Sequence, residues 1–200
     1  MKLVGDWPYR IVFGVLWLVF FAVRMFFQRR VQRAEHYELF NEKQEKIFFN
    51  LYLLGYLLLV LYFLTPWLDF AHLAFPAWLR WTGAVVTALG IGFFGWAHQA
   101  LGNNWTIVLA LSGQHQLVTN GPYRWIRHPM YTGFFIIGIG FLLLSANWLV
   151  GLLYLGSLLV MYLARVKAEE DMMIGRFGEE YRHYMQRTGR LLRRLFKPAG

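Results

Sequence analysis

The chain has no cysteine in 200 residues, which removes disulfide frameworks, iron–sulfur clusters, thiolate zinc sites and cysteine nucleophiles together. Charge is sparse as well: 16% of the side chains are Asp, Glu, Lys or Arg, against 58% hydrophobic. That balance is too apolar for an ordinary water-soluble domain. Acidic residues are the scarcer kind, 11 against 20 Lys and Arg. The formal charge of +9 does not argue for nucleic acid, because membrane proteins collect Lys and Arg on the cytoplasmic face, beside anionic lipid. Metal-ligand spacing is missing too, with no His-x-x-x-His or His-Glu-x-x-His among the six histidines, so no metal is expected. Gly90-Ile91-Gly92-Phe93-Phe94-Gly95 has the spacing of a dinucleotide fingerprint. It lies within an apolar run with no strand before it, so close helix packing through small residues is the better reading.

What the chain does have is long uncharged runs, and its mean hydropathy is +0.38. A helix needs roughly 20 apolar residues to cross about 30 Å of hydrocarbon. Ile11 to Phe27, Ile47 to Leu68 and Trp81 to Leu101 each meet that length. Gly102 follows the third run, as suits a left-handed helix cap. From Met130 to Ala164 there are 35 uncharged residues, about 52 Å as one helix, which is too long for one crossing. A break near Ser145-Ala146-Asn147 turns this stretch into a hairpin. The expected fold is an all-α membrane protein of five transmembrane helices, with a C-terminal helical hairpin and an amphipathic tail helix from Ile174 on the cytoplasmic side. Residues 1–200 form one integral-membrane domain, with three spans in 1–100 and a functional half in 101–195. The first span is expected to stay in place rather than be cleaved. With the N-terminus outside, 17 of the 20 Lys and Arg lie on the inner side, leaving Lys2, Arg10 and Arg80 outside; the C-terminus is then cytoplasmic.

Two inner segments carry most of the chemistry. Arg127-His128-Pro129 opens the fourth span, and Arg165 through Asp171 ends the fifth, so the hairpin brings them to one membrane surface. Pro129 suits the first turn of a helix and His128 its cap. The free N–H groups there offer a place for a carboxylate or phosphate. Arg165 and Glu169, four residues apart, share a helix face within ion-pair reach. Glu169-Glu170-Asp171 sits at a helix C-terminus, where the dipole disfavours negative charge, so cations are expected nearby. The first segment is also explained by interface marking alone, and the second by a common surface pattern in which Arg165 and Lys167 suffice as cations. The tail's Phe177, Tyr181 and Tyr184 suit a helix lying on lipid or closing over a ligand.

Leu101-Gly102-Asn103-Asn104-Trp105, His115-Gln116-Leu117-Val118, Gly121-x-Tyr123, Arg127-His128-Pro129-Met130-Tyr131, Arg165-x-x-x-Glu169-Glu170 and Phe177-Gly178-x-Glu180-Tyr181-x-x-Tyr184 occur in order over residues 100–190. Together they resemble the isoprenylcysteine carboxyl methyltransferase family, most closely its small prokaryotic members. The resemblance implies an integral-membrane methyltransferase that uses S-adenosylmethionine, held at the cytoplasmic ends of the last two spans. By motif position it implies cofactor contacts from His115, Gln116, Leu117, Val118, Tyr123, His128, Pro129, Met130, Tyr131 and Glu170. It places Arg165 and Glu169 at the reacting centre. The acceptor implied is a lipid-borne or amphiphilic molecule entering between helices. For a carboxylate acceptor Arg165 supplies a two-pronged grip and Glu169 fixes the guanidinium; for an amine or thiol Glu169 is the candidate base. Two alternatives remain at this stage: a sterol-reductase-like enzyme using a nicotinamide dinucleotide, and a transporter or structural subunit without chemistry.

Overall fold

The computed structural model describes residues 6–30, 57, 60–102 and 116–194. Helix α1 is Trp7–Arg30 and α2 is Ala77–Leu101. Helix α3 is Pro129–Ser145, α4 is Trp148–Phe177 and α5 is the short Glu179–Arg187. Three-residue and four-residue 3-10 turns occupy Asp69–Ala71 and Gly121–Arg124. Helices α1, α2 and α4 are each long and apolar enough to span a bilayer, and α3 is a shorter apolar helix. The chain is an all-α integral membrane protein. Of the second expected span only its end is described, where residues 60–64 are helical.

The hairpin breaks where the apolar run demanded it. Ala146 adopts a left-handed conformation, φ 47°, and its N–H returns to the Leu142 carbonyl. Asn147 then caps α4, its side chain accepting from the Val150 N–H at 3.0 Å and donating to the Leu68 carbonyl at 2.6 Å. Side-chain capping at this position satisfies a donor that the helix itself cannot. At 30 residues α4 is about 45 Å long, so its charged last third extends beyond the hydrocarbon. The single tail helix expected from Ile174 is instead divided: α4 continues through Phe177, and Gly178, at φ 54°, ends it before α5 begins. A positive φ there is cheap only for glycine.

The bundle is held by close backbone approach as much as by bulk. Phe13 and Phe20 of α1, Ile91 and Phe94 of α2, and Ile137, Phe141 and Leu144 of α3 form the buried core. Helix α2 packs most extensively on α3, through small residues on both. A Cβ at Gly140 would stand 2.6 Å from the Thr87 amide nitrogen, and one at Gly83 2.4 Å from the Leu144 amide nitrogen. In lipid, where apolar burial gives helices little preference for each other, such contacts supply the association. Leu18, Val85, Leu89 and Leu163 remain more than half exposed, as lipid-facing side chains do.

The end of the bundle where α1 begins carries a knot of ion pairs. Arg10 binds Asp69 and donates to the Tyr62 and Thr65 carbonyls at 2.9 and 3.1 Å. Arg80 binds Asp6, donates to the Leu144 carbonyl at 3.2 Å and lies over the Tyr9 ring. Both arginines, expected on the outer side, are 4% exposed, so they are buried structural cations, a burial that the sequence does not reveal. A guanidinium this enclosed is tolerated only with a partner.

Two glycines on the same helix pair separate packing from composition. Gly140→Ala should destabilise the detergent-solubilised protein by about 1–3 kcal/mol, the usual cost of overpacking. Gly92→Ala, whose Cβ meets nothing within 4 Å, should leave the melting temperature unchanged. Equal melting temperatures for the two variants would contradict the α2–α3 contact.

Candidate active site

The opposite end of the bundle, where α3 begins and α4 runs out of its apolar stretch, gathers the charged residues. Pro129 takes the first helical position of α3 and His128 its cap. That leaves the imidazole beside the first turn, with Tyr131 three residues further on. Helix α4 supplies Arg165, Glu169 and Glu170 from successive turns. His128 stands between the carboxylates, its Nδ1 3.4 Å from Glu169 Oε2 and its Nε2 3.4 Å from Glu170 Oε1. Arg165 Nε lies 3.5 Å from Glu169 Oε1, and the Tyr131 hydroxyl donates to that same oxygen at 2.7 Å. Arg165 and His128 therefore meet on one carboxylate at one end of the bundle, as the hairpin geometry required.

Glu170 is the most enclosed member, its side chain 4% exposed. It accepts from Arg127 Nε at 3.0 Å and from Arg190 Nε and Nη2 at 3.1 and 2.6 Å. Arg127 also donates to the Met185 carbonyl at 3.0 Å and to the Thr188 carbonyl, binding the end of α5 to the start of α3. Residues 188–191 run back over that start as a strap. The Arg127 N–H donates to the Gly189 carbonyl at 2.8 Å, the His128 N–H to the Arg190 carbonyl at 3.0 Å, and the Thr132 hydroxyl to the Leu191 carbonyl at 2.7 Å. The cations expected near the acidic end of α4 are thus Arg127 and Arg190, together with Arg165.

The other sequence-predicted residues take varied places. Tyr123 is buried in the 3-10 turn, and its carbonyl accepts the Tyr184 hydroxyl at 2.6 Å. Gln116, Leu117 and Val118 lie in the irregular stretch leading into that turn, Gln116 exposed and the other two half-buried. His115 lies outside the described residues. Pro129 is fully buried, and Met130 packs on the bundle core. Tyr181 and Tyr184, at 3% and 5% exposure, are both buried, and the Tyr184 hydroxyl fastens α5 to the turn. Arg190 carries no local signal, since a Thr-Gly-Arg segment has no periodicity and its partner Glu170 is 20 residues away.

Three guanidinium groups face two carboxylates here, so the cluster is net positive, and Arg190 keeps half of its side chain exposed. Together with the positive end of α3 this favours an anionic group, while Glu169 offers an adjoining site for a cation. Burial disfavours a charged imidazole at His128, but hydrogen bonds and charge from Glu169 and Glu170 outweigh it and raise the pKa above its ordinary 6.5. A group raised in the folded state stabilises fully below its unfolded value and loses that contribution as pH rises through the folded one. Thermal stability should therefore fall as pH increases from about 6.5 upward, and His128→Gln should flatten that part of the curve. A variant with the wild-type slope would show that His128 is not the group responsible.

A family model described as the isoprenylcysteine carboxyl methyltransferase family matches residues 82–175, from α2 into the last turn of α4. The human protein-S-isoprenylcysteine O-methyltransferase is 33% identical over 134 residues, 62% of this chain and 47% of its own length. A probable protein-S-isoprenylcysteine O-methyltransferase of indica rice is 30% identical over 139 residues, 68% of this chain and 73% of the rice protein. A solved structure, the eukaryotic intramembrane Ras methyltransferase ICMT without a monobody, superimposes with a TM-score of 0.54 at 29% identity, covering 76% of this chain and 53% of that one. The chain spans about half the length of the mammalian relatives it matches. The matched stretch contains α3, all but the last two residues of α4 and the charged cluster apart from Arg190, and the rice protein is covered over most of its length; the chain belongs to the isoprenylcysteine carboxyl methyltransferase family.

Proposed function

We propose that the protein is an S-adenosylmethionine-dependent methyltransferase acting on the carboxylate of a lipid-borne or amphiphilic acceptor; its relatives carry the name protein-S-isoprenylcysteine O-methyltransferase. The observation that carries this reading is the Arg165–Glu169 pair, held by His128 and Tyr131 at the end of two lipid-embedded helices. A methyl acceptor with a hydrocarbon tail keeps that tail in the bilayer and presents its head at this depth. The positive-inside count supports a cytoplasmic position for this end, with the N-terminus outside.

The residues present fit the cofactor's chemistry. Its amino-acid carboxylate suits the net positive cluster and the α3 N-terminus at His128 and Pro129, and its cationic centres suit Glu169. Gln116, Leu117, Val118, Tyr123, Met130, Tyr131 and Glu170 are proposed as the remaining described contacts, Glu170 acting through the cations it holds. When bound, S-adenosylmethionine supplies an electrophilic methyl group on a sulfonium. The chain's own task is then alignment and exclusion of water, since in-line displacement depends on position. Arg165 orients the acceptor carboxylate, which is ionised at neutral pH and needs no base. Glu169 has both oxygens engaged, Oε1 by Tyr131 and Arg165 and Oε2 by His128. That suits a carboxylate fixing a guanidinium better than a free proton acceptor, and it favours a carboxylate acceptor over an amine or thiol. A dinucleotide's several phosphate charges would want more cations than this cluster offers, because Arg127 and Arg190 also neutralise Glu170; a single carboxylate asks for less.

Arg165→Ala and Glu169→Ala should each lower transfer of labelled methyl to a prenylcysteine analogue by at least about a hundredfold, with the fold kept in detergent. His128→Ala should chiefly weaken cofactor binding by calorimetry. Wild-type turnover in the Arg165 and Glu169 variants would remove their roles. Methylation confined to water-soluble acids, with amphiphilic ones neither reacting nor competing, would remove the lipidic acceptor.

A further inference from the structure

We propose that Arg190 is a positioning residue of this site: from the C-terminal strap it holds Glu170, and through Glu170 it sets His128, Glu169 and finally Arg165. The kinetic part of this inference rests on the methyltransferase reading; the geometric part does not.

Arg190 grips His128 at two points. Its carbonyl accepts the His128 N–H at 3.0 Å, fixing the main chain at the helix cap. Its guanidinium takes Glu170 through both Nε and Nη2, fixing the carboxylate that faces the imidazole. A planar fork of this kind sets direction as well as charge. Arg127 binds the same carboxylate but is 8% exposed and spends its Nη1 on two carbonyls of the α5 end, so its removal would leave buried acceptors unpaired. The Arg190 side chain is 52% exposed and leaves no cavity when replaced. The strap keeps its main-chain and Thr132 hydrogen bonds to the start of α3 without that side chain. The variant is accordingly expected to fold.

The charged and titratable groups facing His128 are Glu169 and Glu170 of α4, with the Tyr131 and Tyr162 rings. Arg127 and Arg190 act on it through Glu170, and Arg165 through Glu169. Neutralising Arg190 alone leaves Glu170 less compensated. The imidazolium is then drawn toward Glu170 and away from Glu169, which loosens the hold on Arg165.

The test is an NMR titration of the His128 imidazole in the detergent-solubilised protein, with His128→Gln identifying the signal, alongside methyl transfer to a prenylcysteine analogue. Arg190→Gln should move the His128 titration upward by about half a pH unit or more, the expected sign for removing a nearby positive charge. It should also lower kcat by about tenfold or more. Arg190→Lys, which keeps the charge but loses the fork, should leave the titration near wild type and give an intermediate rate. An unmoved titration or a wild-type rate in Arg190→Gln overturns the proposal. If that variant does not fold, Arg190→Lys decides alone: an intermediate rate supports the role, and a wild-type rate overturns it. Should the wild-type protein transfer no methyl group, the methyltransferase reading fails, while the titration still tests the coupling from Arg190 to His128.

Discussion

A single enclosed carboxylate organises the functional end of this protein. Glu170 accepts from Arg127 and Arg190 and faces His128, joining three segments far apart in the chain: the start of α3, the end of α4 and the strap after α5. A carboxylate this deep is tolerated only because its partners also lie there. The dependence is mutual, since Arg127 is itself buried, its side chain 8% exposed. Neighbouring Glu169 inherits the arrangement. His128 lies between the two carboxylates, so the place of the Glu169–Arg165 pair follows from how Glu170 is held.

The two ends of the bundle solve the same problem for different ends. At the end where α1 begins, Arg10 and Arg80 are buried against Asp69 and Asp6, with Arg10 Nη1 and Arg80 Nε donating to backbone carbonyls. That knot pins the approach to α2 and the α3–α4 turn. At the other end the pairs leave exposed edges on Arg190 and partly on Glu169 and Arg165. Helix length separates the two: α3, at about 26 Å, holds one cluster at each of its ends. The glycine contacts between α2 and α3 keep that spacing rigid, because backbone packed on backbone has no side chain to yield.

Much of this was legible in the sequence because it is local. The uncharged run from Met130 to Ala164 exceeds one crossing, which forces a turn, and the Asn147 cap lies where a cap is needed. Pro129 fixes the start of α3 for the same kind of reason, and the spacing of Arg165 and Glu169 places them on one face. What escaped depends on contacts between distant segments. The burial of Arg10 and Arg80 shows only when Asp69 and Asp6 are brought to them. Arg190 lies in a segment without pattern, and only the return of the strap to residues 125–128 gives it a role. Gly178, one residue at a positive φ, divides a stretch whose alternation otherwise reads as one helix.

The most direct test of Glu170 as the organising group is amide hydrogen exchange on Glu170→Gln in detergent. Exchange at residues 125–128 and 188–191 should accelerate together by about tenfold or more, while Asn147 to Val150 at the other end keep their wild-type protection. Unchanged protection in those two segments, or a uniform loss throughout the chain, would contradict it.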